Sequence, residues 1–329
     1  MRPLVETVNL KKYFSVRGGV ARLLKGRVKY VPAVDDVNLK IYEGERVSLV
    51  GESGSGKTTL GRLLLRLITP TSGEIYFEGK NIMLLKGKEL KEFRQKAQII
   101  FQDPYTALDL RQTIRGALEE ALIIHNLYSR EERLETVIKA LKSVGLVPPE
   151  FFLEKYPHEL SGGQRQRAII ARALILNPKF LVFDEPLSLL DATTRVQILN
   201  MINEVKEKFN LTYLFITHDI ALVRYISDKM FIMYQGKIME AGLTEEILKD
   251  PLHPYTKTLM MAIPVPDPET KISLPPKVSV MDAYMTMSLQ GCRFYSRCPY
   301  ATQKCKVELP PLEEIEYNRF VACWNIAKS

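Results

Sequence analysis

The sequence predicts an α/β fold built on a largely parallel sheet, with its chemistry at the carboxyl ends of the strands, and three stretches carry that prediction. The apolar run Arg46 to Val50 leads into Gly51-Glu52-Ser53-Gly54-Ser55-Gly56-Lys57-Thr58-Thr59 and then a helical run from Leu60 to Leu67. Strand, glycine loop and helix in that order are the context in which G-x-x-x-x-G-K-[ST] binds phosphate. Lys179 to Pro186 is an apolar run ending in Asp184 and Glu185, as a central strand covered on both faces would read. Leu211 to Asp219 repeats the design, with His218 at its carboxyl end.

In the loop, Gly51, Gly54 and Gly56 let the backbone fold tightly around an anion. Successive N–H groups, with those of Ser53 and Ser55, then point at the phosphates of a nucleotide, as does the positive end of the following helix. Lys57 adds a full charge for the β- and γ-phosphates. Thr58, with Thr59 behind it, offers a hydroxyl to Mg²⁺, whose small octahedral shell also takes phosphate oxygens, waters and a distant carboxylate. Asp184 is the candidate partner of the Mg²⁺ waters, and Glu185, one residue on, is placed to polarise an attacking water.

A chain of 329 residues with 46% apolar content accommodates one large core plus appended pieces. No stretch approaches the roughly 18 uninterrupted apolar residues of a membrane span, and the N-terminal residues lack a signal-peptide core. The expected location is therefore cytoplasmic. The net charge of +8 suits polyphosphates, an anionic membrane surface or nucleic acid, and does not choose among them.

Residues 4 to 10 and 34 to 41 alternate in polarity, with Val34, Val37, Leu39 and Ile41 on one side, and read as half-buried antiparallel strands. Between them lies a basic, glycine-containing insertion at residues 15–32. Tyr13 and Phe14 stand just before it, and either offers a flat face to a purine. Thr71 to Lys80 reads as a turn and hairpin, and Gln98 to Phe101 as a short buried strand ending at Gln102. From about Thr106 to Gly145 the spacing of Leu118, Leu122, Leu134, Val137, Ile138 and Leu141 is helical. This predicts an inserted helical subdomain over about 103–160. Ser161-Gly162-Gly163-Gln164 then opens a helix, a second anion-binding terminus. Lys229 to Glu240 reads as a hairpin and Thr244 to Lys249 as a short helix, so the nucleotide core is expected to span 1–250 and a C-terminal extension 251–329.

These elements in this order resemble the ATP-binding cassette (ABC) family. Gly51 to Thr58, Gln102, Leu160 to Gln164, Asp184-Glu185, Asp191 and His218 match its Walker A, Q-loop, signature, Walker B, D-loop and H-loop motifs. The resemblance implies a P-loop NTPase fold of ABC type with an antiparallel β subdomain, an inserted α-helical subdomain and a small cysteine-containing C-terminal extension. It implies head-to-tail pairing, each ATP lying between one subunit's phosphate loop and the other's Ser161, Gly162 and Gly163. Lys57, Glu185 and His218 become the catalytic groups, and Gln102 a contact to Mg²⁺ and a reporter of nucleotide state. The frame Leu10 to Phe14 favours Phe14 as the base-stacking aromatic, with Tyr13 second. The basic insertion, Phe101 to Tyr105, His253 to Lys257 and Ala262-Ile263-Pro264 narrow the likeness to the ATPase subunits of oligopeptide/dipeptide importers. Two positions depart from that pattern: Leu108-Asp109-Leu110 follows the Q-loop, and Leu189 precedes Leu190-Asp191.

For such a subunit the implied partners are a second, homologous ATPase chain, two membrane-spanning permease subunits and an extracytoplasmic solute-binding protein, with no nucleic acid. The implied place is the cytoplasmic face of the membrane. Importers of oligosaccharides or nickel, and a soluble cassette acting on nucleic acid or ribosomes, are the alternative readings. All four cysteines, Cys292, Cys298, Cys305 and Cys323, lie after residue 290. Thiolates are soft ligands, so spacing leaves zinc, an iron–sulfur cluster, free thiols and disulfides all open. The resemblance to the peptide-importer ATPases moves the expectation to a [4Fe-4S] cluster.

Overall fold

The computed structural model describes residues 2–16, 29–103, 107–262 and 290–326. Most of the basic insertion, residues 104–106 of the segment after Gln102, and Ile263-Pro264 lie outside the described residues. In chain order the strands are β1 (Val5–Val16), β2 (Lys29–Ile41), β3 (Arg46–Val50), β4 (Ser72–Phe77), β5 (Lys80–Asn81), β6 (Ala97–Ile100), β7 (Phe180–Asp184), β8 (Thr212–Thr217), β9 (Lys229–Tyr234), β10 (Lys237–Leu243), β11 (Glu313–Glu316) and β12 (Arg319–Val321). They fall into two compact units. One comprises Arg2–Ile41, Val47–Met83 and Thr217–Ser329, and the other Tyr42–Arg46 and Leu84–Ile216.

The first unit holds an antiparallel sheet in the order β2-β1-β4-β5. Val37, Leu39 and Ile41 alternate inward as their spacing predicts, but both Val34 and Asp35 are buried. Asp36, at φ 60°, slips the alternation by one residue, and the β1–β2 register shifts in the same segment. The unit also holds β3, which pairs in parallel with β9, Val47 to Val50 lying against Lys229 to Ile232. The β9–β10 hairpin turns through Gln235 and Gly236, both at positive φ, as a two-residue loop between twisted strands requires.

The C-terminal region joins this unit through β12, which pairs with β10 and β11. A fully buried carboxylate, Glu240, ties it down. It accepts hydrogen bonds from the backbone N–H groups of Leu252 and His253, each at 3.0 Å, and from the Arg319 guanidinium at 3.4 Å. Arg319 also donates to the Asp250 carbonyl. His253 caps the helix Pro254–Met261, its Nδ1 accepting from the Tyr255 N–H at 3.0 Å. Burial pushes the His253 imidazole down to about 3 from its ordinary 6.5. The folded chain therefore holds this ring neutral, whereas the unfolded chain protonates it below about pH 6.5. Its contribution to stability is complete above that pH and declines as pH falls toward 3, by at most about 1.4 kcal/mol per unit. Between pH 7 and 5 the unfolding midpoint is expected to drop more steeply in the wild type than in His253→Asn, which keeps a capping acceptor. Parallel slopes in the two proteins would refute this.

The second unit is built on the parallel strands β6, β7 and β8, with β7 central. Every residue of β7 and β8 is buried, which is why their sequences read as continuous apolar runs. The Phe183 ring packs edge-on against Tyr213 at 5.6 Å. Helices Ile114–Ile124 and Arg130–Ser143 fall where the periodicity predicts them, the second opening with a Ser129–Glu132 capping box. The helix Gly162–Leu174 begins directly after Ser161. Among the described residues no helix is long and apolar enough to cross a membrane.

Candidate nucleotide site

In the first unit, Gly51 to Gly56 form the loop between β3 and the helix Lys57–Leu64. Gly56 caps that helix at φ 107°, a left-handed conformation that costs a side chain dearly and glycine little. Lys57 is buried, and its Nζ donates to the carbonyls of Gly51 at 2.7 Å and Glu52 at 2.9 Å. The ammonium thus closes a ring around the loop from within. Ser53 and Gly54 are exposed at the tip, and Thr58 and Thr59 are half-buried at the helix start.

Glu52 is held from three sides. Its carbonyl accepts from Lys57, its N–H donates to the Tyr255 hydroxyl at 2.9 Å, and its carboxylate takes both arms of the Arg297 guanidinium at 2.8 and 2.9 Å. Sequence reasoning missed Glu52, Tyr255 and Arg297. Glu52 occupies a variable position of the loop motif, and its partners lie 203 and 245 residues away, so no local signal marks them.

Tyr13 and Phe14 lie on β1 and differ in their ties. The Tyr13 hydroxyl donates to Asp35 at 2.6 Å, and burial together with that carboxylate pushes the phenol up to about 12. Burial works to raise the Asp35 carboxyl in turn. The Tyr13 hydroxyl, Lys237 and Arg293 outweigh it and hold the group below the usual carboxylate range. Phe14 is 43% exposed, with the Lys12 ammonium 5.1 Å from its ring centroid. Its face is the more accessible of the two. His218 is also exposed and follows the carboxyl end of β8; the next residue, Asp219, donates its N–H to the Thr217 hydroxyl at 3.0 Å.

The second unit gathers the remaining polar residues. Asp184 ends β7 and is buried; Glu185 follows at φ 49°. That left-handed turn, which costs a non-glycine residue about 1 kcal/mol or more, is held by the Glu185 N–H donating to the Ile216 carbonyl at 3.0 Å. The Glu185 carbonyl also accepts from the Ser188 hydroxyl at 3.1 Å. Gln102 Nε2 lies 3.3 Å from Glu185 Oε2, so the two residues read separately in the sequence meet as donor and acceptor.

Ser161 and Gln164 form a reciprocal capping box, the Ser161 Oγ accepting from the Gln164 N–H at 3.3 Å and the Gln164 Oε1 from the Ser161 N–H at 3.1 Å. Ser161 and Gly162 are exposed at this helix end. Beneath them, buried Arg165 donates to the carbonyls of Pro157 at 2.8 Å and Leu160 at 3.3 Å, a support the motif reading did not include. Asp191 caps the helix Ala192–Phe209 through Thr194, and those hydrogen bonds hold its carboxyl below the usual range.

The cysteines correct one expectation. Cys292, Cys298, Cys305 and Cys323 are free thiols lining one pocket with His253, Phe294 and Trp324, but they do not fit a [4Fe-4S] cluster. Among the described residues no group of three or more His, Cys, Asp or Glu side chains is arranged to hold a metal ion. Burial pushes the Cys292 thiol up to about 12 and also raises Cys298 and Cys323, as apolar surroundings do for a thiol. Cys292 and Cys305 pack in a hydrophobic cluster with Met230, Tyr234, Tyr255 and Phe294. The Cys323 Sγ accepts from the Asn325 N–H at 3.4 Å. Cys292 and Cys305 thus pack as small core residues, with Cys298 against the same cluster, an arrangement that sequence spacing does not distinguish from ligation.

Comparison with known proteins places these features in context. A family model described as ABC transporter matches residues 34–188, and one described as oligopeptide/dipeptide transporter, C-terminal region, matches residues 239–305. The putative oligopeptide transport ATP-binding protein YkfD of Bacillus subtilis (strain 168) is 45% identical, the match covering 98% of this chain and 95% of the relative. The oligopeptide transport ATP-binding protein AppF of the same organism is 43% identical over 97% and 96%. The dipeptide transport ATP-binding protein DppF of Haemophilus influenzae is 40% identical over 98% and 97%. Among solved structures, the dimeric bacterial ABC transporter cassette MJ0796 aligns at a TM-score of 0.62 with 31% identity, covering 73% of this chain and 98% of that one. The post-hydrolysis dimer of that cassette, bound to ADP and Pi, aligns at 0.62 with 32% identity over the same shares.

Proposed function

The chain belongs to the family of ABC transporter ATPases, and from that premise we propose that it is the ATP-binding and hydrolysing subunit of an importer of oligopeptides or dipeptides. The observation that carries the reading is the joining of two features in one compact unit. A phosphate loop closed around a buried lysine is braced by the very C-terminal region that matches the oligopeptide/dipeptide transporters.

On this reading Lys57 neutralises charge on the β- and γ-phosphates, and the exposed Phe14 stacks on the base. Glu185 orients and deprotonates the attacking water, and His218 stabilises charge as the phosphoryl group leaves. Phosphoryl transfer asks little covalent chemistry of a protein, so positioning and electrostatics supply most of the rate. The Thr58 hydroxyl, the Asp184 carboxylate and the Gln102 amide are hard oxygen donors of the kind Mg²⁺ takes. That ion would supply charge neutralisation at the phosphates. Ser161, Gly162, Gly163 and Gln164 present a helix terminus to the nucleotide of a second ATPase subunit, a homologous chain in a heterodimer. Two membrane-spanning permeases and an extracytoplasmic solute-binding protein complete the importer, with this chain peripheral at the cytoplasmic face.

Co-purification from membranes followed by reconstitution in vesicles tests the whole reading. A receptor loaded with a short peptide is expected to raise ATP hydrolysis by the assembled complex several-fold, roughly the scale of allosteric coupling. Stimulation by a sugar or by nickel, with none by peptides, would overturn the substrate class; no copurifying permease would overturn the transporter role.

A further inference from the structure

The contacts around Glu52 point past the motifs. Its carboxylate meets Arg297 in a two-armed, charge-assisted pair, the geometry in which an arginine fixes orientation as well as distance. The Arg297 side chain is only 11% exposed and is itself locked in place. Its guanidinium lies over the rings of Phe294 at 5.4 Å and Tyr234 at 5.7 Å, and it reaches the Tyr234 hydroxyl at 3.4 Å. The Tyr255 hydroxyl that receives the Glu52 N–H belongs to a fully buried ring in the same aromatic group, 4.5 Å from Tyr234 and 5.4 Å from Phe294. A second arginine four positions before it in this cysteine-containing segment, Arg293, pairs with Asp35 at 2.9 Å, and Asp35 holds the Tyr13 hydroxyl. The C-terminal region therefore grips the phosphate loop directly and, through Asp35 of β2, the Tyr13 hydroxyl on the strand that carries the base-stacking candidates.

We propose that Arg297 is a positioning residue for nucleotide binding: through Glu52 it holds the phosphate loop in the shape that receives the β- and γ-phosphates, so that the C-terminal region sets the ATP affinity of the cassette. The physical need is plain. When Lys57 turns to a phosphate it gives up the carbonyls of Gly51 and Glu52, and the loop loses those two charge-assisted bonds, keeping the Ser55 N–H to the Glu52 carbonyl at 3.1 Å. The Arg297 pair and the Tyr255 hydroxyl remain to hold the Glu52 peptide, so less ordering entropy is charged against binding. This inference rests on the ATPase reading above.

The test is a double-mutant cycle on the full chain, with Mg²⁺-ATP affinity read by titration of a fluorescent ATP analogue. Arg297→Gln and Glu52→Gln are each expected to weaken binding about tenfold, and the double variant no further, because both remove one shared interaction. Arg297→Lys is expected to recover part of the loss, as it keeps the charge and forfeits the fork. In steady-state hydrolysis the loss is expected in KM, with kcat within about twofold of wild type, since the pair acts before the chemical step. If Arg297→Gln does not fold, Glu52→Gln reads the same pair from a side chain that is 39% exposed. Wild-type affinity in either single variant, or losses that multiply in the double, would overturn the proposal. A wild-type chain that binds no ATP would instead overturn the ATPase reading on which it stands.

Discussion

Glu185→Gln is expected to lower ATP turnover by about 10³-fold while leaving ATP binding intact. The amide has the shape of the carboxylate but cannot accept the proton of an attacking water. Nothing else about the residue's place should change, because that place is set by the backbone. The turn at φ 49° is held by hydrogen bonds to the Ile216 carbonyl and from Ser188, none of which involves the Glu185 carboxylate. The carboxylate oxygen that accepts from Gln102 has a counterpart in the Gln side-chain oxygen, which can keep that contact. Phosphate release and ATP titration on the assembled complex read the two halves of the expectation separately. Turnover near that of wild type would remove Glu185 from its role, and loss of binding would make it a structural residue of the nucleotide site.

The second large effect concerns one glycine and its neighbour in the same loop. Gly56→Ala is expected to weaken ATP binding by about 10²-fold or more, from a few kcal/mol of combined strain and overlap. A Cβ there would sit 2.0 Å from the Ala33 carbonyl oxygen, on a residue already at φ 107°, and backbone would have to move to admit it. Gly54→Ala is the control. Its φ of 79° is also left-handed, but no atom lies within 4 Å of the added carbon, so about 1–2 kcal/mol of backbone strain is the whole expected cost. The motif fixes Gly56 and leaves Gly54 variable, but it does not say what crowds either one; equal losses from the two substitutions would show that the contact with Ala33 does not matter.

That contrast illustrates where reading the sequence stopped. Periodicity and caps located the helices Arg130–Ser143 and Gly162–Leu174, and unbroken apolar runs located β7 and β8, because these depend on neighbours a few residues apart. The polar residues at the ends of those runs were legible for the same reason: Asp184-Glu185 and His218 interrupt an unbroken apolar run at its carboxyl end. The bulge at Asp36 was not legible, since a register slip depends on the partner strand. The cysteines misled, because residue type tells which metals a thiolate prefers and says nothing about whether burial leaves it a thiolate. Here burial raises Cys292, Cys298 and Cys323, and Cys292 and Cys305 pack in the core.

The amino-acid order alone determined the α/β class, the phosphate loop and the set of acids and histidine that mark an ABC ATPase, since each is written in contiguous residues whose local geometry suffices. Only the tertiary structure decided what braces that loop. Glu52 finds Tyr255 and Arg297 at separations of 203 and 245 residues, and Asp35 finds Arg293 at 258, distances over which no periodicity persists. Chain folding brings those groups together because β12 and the aromatic cluster carry the C-terminal region back onto the strands beside the loop, and a charge enters that half-buried ground only where an opposite charge awaits it.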